Sequence, residues 1–393
     1  MSGPANPVII GPGDFITMLE SQNRRQFLQR SASLAGAATS LLAAPGDPIG
    51  TGIIGTGNRG GHLWRNLVKL DGVKLLAACD LKPDRLDQAL SVASRDNPTG
   101  YSDYRKLLER KDIDAVFIAS PCDLHVEMTI AALQAGKHVY CEKPLGITSE
   151  SIARLLKVAA SSKTVLQVGQ QMRYGTQLQE TIARIHGGVL GKIMMVKAQR
   201  HAGNDLAHDG PSADWFFDVK RSGDVIVEMA VHNLDVCNWI VNARPDKASG
   251  FGGVSLWVNE PPGRTSMDGY TLSYEYANGV RMSFTQVFFH PGGMPGGGQY
   301  FYVYGTKGAV DVSGSKFYPL ARGAQPEVLS TATGRGGGEP QLAAFYECIR
   351  TGTKPIANVR IAAVAALTAI LGREAIYQKR LMTWKDLGVD VDL

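Results

Sequence analysis

The chain has 393 residues, of which 44% are hydrophobic and 20% charged, and its formal net charge is +5. This length and composition predict a globular protein of two domains, since a domain averages roughly 150 residues. The small, scattered positive charge argues against nucleic-acid binding. The sequence has no C-x-x-C pair, which argues against zinc and iron–sulfur sites. It also has no long apolar run, which argues against a membrane span in the mature protein.

Residues 1–44 predict an export segment. The stretch NRRQFLQRSASLAGAATSLLAA places Arg24 and Arg25 before an Ala/Gly-rich, modestly apolar run. It resembles the twin-arginine signals with which bacteria export folded proteins, so we expect a periplasmic or exported protein, or a cytoplasmic one if the signal does not function. The alternative is a disordered basic tail, because 23 residues precede Arg24 and the end of the segment is an imperfect cleavage site.

Residues 45–172 predict a dinucleotide-binding domain that begins with a strand, a glycine loop and a helix. Gly55, Gly57 and Gly60 form a G-x-G-x-x-G pattern, with Asn58 and Arg59 at the predicted start of the helix. Glycine at these positions permits a tight turn, close approach to a pyrophosphate and close helix–strand packing. The amino end of the helix favours phosphate, so we predict that all five residues contact the cofactor.

An acidic residue ends the second predicted strand. Asp80 follows the run VKLLAAC and lies 20 residues after Gly60, where a carboxylate is expected to bind the adenosine ribose. A carboxylate there favours NAD over NADP, although Lys82 and Arg85 follow closely and leave NADP as the second choice.

Strands and helices then alternate up to the run TVLQVGQ, which predicts a parallel sheet. Ligands of such sheets bind beyond the carboxyl ends of the strands. We therefore predict that the polar residues following these strands also contact the cofactor: Ser120, Pro121, His125, Glu142, Lys143 and Gln170.

Several motifs resemble the glucose-fructose oxidoreductase / inositol dehydrogenase (Gfo/Idh/MocA) family. They are GTGNRG, SPCDLHVEMTIAALQAGKHVYCEKPL, VGQQMRY and SGDVIVEMAVHNLDVCNW, of which AGKHVYCEKPL is the most specific. The resemblance implies a Rossmann domain followed by an α/β domain with a large, mostly antiparallel sheet. It also implies hydride exchange between a nicotinamide cofactor and a hydroxyl carbon of a sugar, cyclitol or related polyol.

The same resemblance implies a catalytic role for Lys143, often preceding a cis peptide bond to Pro144. The D-x-x-x-H element of the family reads Glu228 to His232 here, so a glutamate stands where aspartate is usual. Residues at i and i+4 share a helix face, and we expect Glu228 and His232 to point at one ligand. Oxidation of an alcohol needs a base near the hydroxyl, and His232, with or without Lys143, is the predicted base. A salt bridge between Lys143 and Glu142 is the structural alternative.

Residues 173–393 predict the substrate and oligomerisation domain. Alternating runs such as GYTLSYEYANGVRMSFTQVFF and YFYVYGTKGAVDV predict antiparallel strands, and the stretch 341–378 is predicted to be helical. We expect a homo-oligomer formed through the sheet. The predicted substrate contacts are Arg173, Tyr174, Trp215 and Asn233.

We predict no metal site, because His201, His208 and His290 are too widely spaced. An exported enzyme would do best to carry its NAD or NADP tightly bound. The leading hypothesis is an oxidoreductase acting on a CH–OH group. A tightly bound cofactor also permits redox-neutral glycoside cleavage by oxidation, elimination, hydration and reduction. A dinucleotide-binding protein without turnover is the third reading.

Overall fold

The computed structural model describes residues 47–203, 213–332 and 339–393. The predicted export segment, residues 1–44, therefore lies outside the described residues, as does His208. Across the described ranges, no helix combines the length and the apolar character needed to cross a membrane.

The first sheet is fully parallel and has six strands in the order β3-β2-β1-β4-β5-β6. This order belongs to the doubly wound dinucleotide-binding fold and confirms the predicted Rossmann domain. Its strands are β1 (Ile49–Ile54), β2 (Val73–Cys79), β3 (Thr99–Tyr101), β4 (Ala115–Ile118), β5 (His138–Cys141) and β6 (Leu166–Val168).

Helices connect these strands because each βα unit buries an apolar helix face against the sheet. They are α1 (Asn58–Leu67), α2 (Pro83–Val92), α3 (Tyr104–Leu108), α4 (His125–Gln134) and α5 (Ser149–Ser161). Strands β1 and β4 are buried along their whole length, as expected for the centre of a sheet covered on both faces.

The second sheet has nine strands in the order β14-β13-β12-β11-β7-β10-β9-β8-β15. Only β7 and β10 pair in parallel, so the prediction of a mostly antiparallel sheet is confirmed. Its strands are β7 (Ile193–His201), β8 (Pro245–Gly253), β9 (Gly269–Tyr276), β10 (Arg281–Val287), β11 (Gly298–Gly305), β12 (Gly308–Asp311), β13 (Lys316–Pro319), β14 (Glu327–Val328) and β15 (Met382–Thr383).

Among the described residues, seven further α-helices follow β6 in the chain. They are α6 (Thr176–His186), α7 (Ala213–Phe216), α8 (Val219–Ser222), α9 (Val225–Glu228), α10 (Val231–Val241), α11 (Pro340–Thr351) and α12 (Val359–Tyr377). The stretch 341–378, predicted to be helical, forms two helices, because Gly352 adopts the left-handed conformation that ends α11.

Helix α11 packs on the first sheet although it lies far along the chain. Phe345 is edge-on to Phe117 of β4 and to Tyr140 of β5, with ring centroids 5.3 and 5.9 Å apart. Residues after the predicted boundary at 172 therefore complete the core of the first sheet.

The second sheet has an inner face covered by α10 and α12 and an outer face that carries exposed side chains. In β10, buried Met282, Phe284 and Gln286 alternate with more exposed neighbours. This period of two fixes which side chains of each strand point toward the helices.

Candidate active site

The glycine loop between β1 and α1 has the geometry that a dinucleotide requires. A Cβ on Gly60 would lie 1.8 Å from the carbonyl oxygen of Gly55, and Gly55 itself has a φ of +86°. The cap residue of α1, Gly57, has no side chain to satisfy the first N–H groups of the helix. These donors are the groups that bind a pyrophosphate, so the loop fits the predicted cofactor.

Asp80 is fixed beside this loop. Its Oδ2 accepts hydrogen bonds from the main-chain N–H of Thr56 at 2.7 Å and the hydroxyl of Thr56 at 3.1 Å, and its Oδ1 accepts one from the N–H of Lys82 at 2.9 Å. The carboxylate keeps acceptor capacity for a ribose hydroxyl. The Arg85 guanidinium also lies beside the loop, with its Nη1 3.1 Å from where a Cβ of Gly57 would stand.

Arg59 and Glu142 bind each other. The Nε of Arg59 donates to Oε1 of Glu142 at 2.7 Å, and its Nη1 lies 3.3 Å from Glu339. Only 4% of the Glu142 side chain is exposed, so this ion pair ties the first helix to the loop that follows β5. The Lys143–Glu142 salt bridge considered as the alternative is not what the structure contains.

His125 links the loops that follow β4 and β5. Its Nδ1 lies 2.7 Å from the carbonyl oxygen of Pro144, and its Nε2 lies 2.9 Å from that of Ser120. The ring is buried, and burial lowers the pKa of His125. Both ring nitrogens thus face main-chain oxygens, and His125 holds the two loops together. Its predicted contact with the cofactor stays a prediction.

Lys143 pairs with Glu228. The Lys143 Nζ lies 2.5 Å from Oε1 of Glu228 and donates to the main-chain oxygen of the same residue at 2.8 Å. The side chains are only 16% and 12% exposed. The peptide bond from Lys143 to Pro144 is cis, as the resemblance implied. Two residues predicted to be catalytic, 85 positions apart in sequence, therefore meet at the carboxyl edge of the first sheet.

The expectation that Glu228 and His232 share one helix face is wrong. Glu228 is the last residue of α9, and His232 lies in the first turn of α10. The main-chain N–H of Ala230 reaches back to the carbonyl of Val225 at 3.2 Å, which widens the last turn and separates the two helices. His232 is buried in the segment that follows Glu228.

Two of the predicted substrate residues make contacts within the protein. Arg173 forms a two-pronged ion pair with buried Asp235, both bonds being 2.8 Å long, and it stacks on Trp239 at 5.0 Å. Asn233 is buried and donates through Nδ2 to Oε1 of Gln299 at 3.1 Å. The Arg173 pair anchors α10, and the predicted contacts of Arg173 and Asn233 with substrate stay predictions.

Tyr174 and Trp215 are both partly buried. Tyr174 lies beside the backbone of Ala357, and burial raises the pKa of its hydroxyl. Trp215 is edge-on to Phe216, with ring centroids 6.0 Å apart. Their predicted contact with substrate stays a prediction.

Gln170, at the end of β6, fits the predicted cofactor site. It is buried, yet neither its Oε1 nor its Nε2 has a hydrogen-bond partner among the described residues. Buried amides are nearly always paired, so this side chain fits a bound polar group.

Arg200 is a residue near the site that the motifs did not reveal. It lies on β7 at an inward-facing position, in line with buried Val196 and Ala198. The Glu228 carboxylate acts electrostatically on its guanidinium, and burial lowers the pKa of Arg200. A charged residue in the apolar phase of the alternating run MMVKAQRHA was the available signal.

Two of the three histidines considered as metal ligands do approach each other. The rings of His201 and His290 are 5.9 Å apart, beside the glycine-rich segment after β10. In the part of the chain that the structure describes, no three His, Cys, Asp or Glu side chains are grouped to hold a metal.

Two models of one protein family match consecutive parts of the chain. The first, described as the Gfo/Idh/MocA oxidoreductase family, NAD-binding Rossmann fold, matches residues 49–170. The second, the Gfo/Idh/MocA C-terminal domain, matches residues 178–311. The chain belongs to the Gfo/Idh/MocA family. Residues 49–170 are its NAD-binding Rossmann domain.

Curated members of the family are similar over part of their length. A glycosyl hydrolase family 109 protein of Stenotrophomonas maltophilia is 34% identical over 192 residues, covering 45% of this chain and 42% of that protein. An inositol 2-dehydrogenase of Salmonella typhimurium is 29% identical over 196 residues, covering 49% of this chain and 54% of that protein. The chain thus spans about half the length of the curated relatives it matches.

Solved structures of family members share the fold. The myo-inositol 2-dehydrogenase of Lactobacillus plantarum superposes with a TM-score of 0.70 at 24% identity, covering 86% of this chain and 99% of that one. The scyllo-inositol dehydrogenase of Lactobacillus casei with bound NAD(H) and scyllo-inositol gives 0.70 at 21% identity, covering 86% and 100%.

Proposed function

We propose that this chain is an NAD-dependent oxidoreductase that transfers hydride to or from a hydroxyl carbon of a sugar, cyclitol or related polyol. The observation that carries the proposal is the contact between Lys143 and Glu228, 2.5 Å long, at the carboxyl edge of an NAD-binding sheet. Relatives named inositol 2-dehydrogenase support the substrate class.

The Lys143–Glu228 pair has the groups that alcohol oxidation needs. When bound, NAD⁺ accepts the hydride from the carbinol carbon. The ammonium of Lys143 has three N–H donors, and Glu228 accepts two of them, one on its carboxylate and one on its main-chain oxygen. The third is available for the substrate oxygen, where it would stabilise the charge that develops as the hydroxyl proton leaves. His232 or the pair itself would take that proton.

The cofactor is proposed to be NAD, tightly bound. The Asp80 carboxylate, fixed by Thr56 at 2.7 Å, would repel a 2′-phosphate. The nearby Arg85 guanidinium favours NADP and makes it the second candidate. Tight binding would suit a protein that works where free dinucleotide is not replenished.

Export and self-association complete the proposal. The Arg24-Arg25 pair and the apolar run after it support export by a twin-arginine route. The outer face of the second sheet carries stacked Tyr300 and Tyr302 together with 40%-exposed Tyr304, a surface suited to a homo-oligomer contact. The proposed partner molecules are thus a small carbohydrate-like substrate and further copies of the chain, with neither nucleic acid nor membrane.

Redox-neutral glycoside cleavage is the second candidate, favoured by relatives that carry the name glycosyl hydrolase family 109. In this reaction the glycoside is oxidised at a ring carbon, loses its aglycone by elimination, adds water and is reduced again. The same Lys143–Glu228 pair would take the hydroxyl proton as the ring carbon is oxidised to a ketone, and the ketone would acidify the neighbouring C–H, whose deprotonation expels the aglycone. A dinucleotide-binding protein without turnover would have no need of that pair.

The proposal is tested with Lys143→Ala. NADH formation, followed at 340 nm with myo-inositol, scyllo-inositol, D-glucose and D-glucuronate, should fall at least about 100-fold for the best of these compounds. Binding of NAD⁺, measured by calorimetry, should stay within about twofold. Full turnover by the variant would refute the assigned site.

A further inference from the structure

A row of polar side chains crosses the inner face of the second sheet. Tyr270, Gln286, Arg200 and Gln299 lie in register on the adjacent strands β9, β10, β7 and β11. We call these four residues the polar row. The next inward-facing row on the same strands is apolar: Leu272, Phe284, Ala198 and Phe301. The polar row is therefore a local feature of one end of the sheet.

The polar row lies under the segment that carries the proposed catalytic residues. Gln286 places its Nε2 4.0 Å from Sδ of Met229, directly after Glu228. Gln299 accepts the hydrogen bond of Asn233, directly after His232, at 3.1 Å. Arg200 stands between these two glutamines, so its guanidinium faces the catalytic segment from the sheet.

The two glutamines and Tyr270 have partners, whereas Arg200 does not have a hydrogen bond to any described residue. Tyr270 donates its hydroxyl to Oε1 of Gln286. Among the described residues, no carboxylate lies within 4.0 Å of the Arg200 nitrogens. Glu228, whose charge acts on Arg200 from further away, forms its ion pair with Lys143. A half-buried guanidinium with five N–H donors and no acceptor among the described side chains fits a site whose acceptor arrives with a ligand.

The charges of the residues around Arg200 also favour an anionic ligand. Lys143 and Arg200 supply two positive charges, and Glu228 supplies one negative charge. The Arg173–Asp235 pair is neutral as a unit. The three charged side chains that would face the substrate, Lys143, Arg200 and Glu228, therefore carry one positive charge together, which favours an anionic ligand.

We propose that Arg200 binds a carboxylate of the substrate through its planar N–H fork, so that the substrate is an acidic sugar or polyol such as a uronate. Guanidinium and carboxylate match in two-pronged geometry, which fixes the ligand's orientation as well as its affinity. The inference rests on the proposed function, because it assumes that a hydroxyl of the same molecule reaches Lys143.

The test is calorimetric titration of the NAD⁺-saturated full chain with two matched pairs, D-glucose with D-glucuronate and D-galactose with D-galacturonate. At least one uronate should bind the wild type about 10- to 100-fold more tightly than its neutral sugar. Arg200→Gln should lose this preference, Arg200→Lys should keep part of it, and Arg154→Gln, which removes an exposed positive charge on α5, should not change it.

Equal binding of sugar and uronate by the wild type, no binding of either uronate, or an unchanged preference in Arg200→Gln would overturn the inference. If Arg200→Gln does not fold, the wild-type comparison still tests the inference, because equal binding of sugar and uronate overturns it. Failure of the proposed function gives a different result, namely uronate binding with no NADH formed from any polyol. NADH formation from neutral polyols without uronate binding leaves that function intact and removes only the role of Arg200.

Discussion

Shortening Glu228 by one methylene should cost activity, even though it restores the aspartate usual in the family. The Lys143 Nζ lies 2.5 Å from Glu228 Oε1, and a methylene shortens the reach by about 1.5 Å. In Glu228→Asp the contact would open to about 4 Å, beyond hydrogen-bonding range. A lost charge-assisted hydrogen bond is worth about 1.5–3 kcal/mol, which predicts a decrease of about 10- to 100-fold in kcat/KM.

The assay is the initial rate of NADH formation at 340 nm with saturating NAD⁺ and the best compound of the polyol panel. NAD⁺ affinity should stay within about twofold, since the glycine loop is untouched. Glu347→Asp, the same change at an exposed position of α11, is the matched control and should retain full activity. Wild-type kcat/KM in Glu228→Asp would refute the claim that this contact positions Lys143.

Three further predictions follow from the packing. Gly60→Ala places a Cβ 1.8 Å from the Gly55 oxygen and should weaken NAD⁺ binding in calorimetry at least about tenfold, whereas Gly253→Ala, with no atom within 4 Å of the new Cβ, should not. Arg173→Ala leaves the Asp235 carboxylate buried without its partner and should lower the free energy of unfolding by about 3–5 kcal/mol in urea titrations. The Arg173→Met/Asp235→Leu double variant should recover most of that free energy. Unchanged stability with a raised KM would instead favour a role of Arg173 in substrate binding. Burial lowers the pKa of His125 below its unfolded value of about 6.5, so the stabilising contribution of the neutral ring is present above that pH and lost below it. The difference in unfolding free energy between wild type and His125→Gln should therefore shrink by up to about 1.4 kcal/mol per pH unit on acidification. A difference that stays constant with pH would contradict this prediction.

The Rossmann half could be predicted from sequence because its evidence is local. Each buried strand is followed by a helical stretch, and Gly55, Gly57 and Gly60 stand where the turn physically needs glycine. Lys143 could be predicted as a site residue for the same reason, since the motif that carries the family resemblance is continuous in the chain. Asp80 could be predicted as a cofactor contact from its sequence distance to the glycine loop.

The features that the sequence did not reveal depend on long-range contacts. The partner of Arg173 is 62 residues away, so the sequence could not distinguish an anchoring ion pair from a substrate contact. The break between Glu228 and His232 comes from a backbone hydrogen bond of Ala230, although the i, i+4 spacing suits one helix. Arg200 faces the site only through the register of β7 with β10 and β11.

The central claim is tested most directly by following absorbance at 340 nm and phenol release together. Purified protein with NAD⁺ is mixed with the polyol panel and, separately, with 4-nitrophenyl glycosides. The proposed oxidoreductase should develop the NADH band with at least one polyol and release no nitrophenol. Release of nitrophenol with no net change in NADH would contradict the account and establish redox-neutral glycoside cleavage in its place.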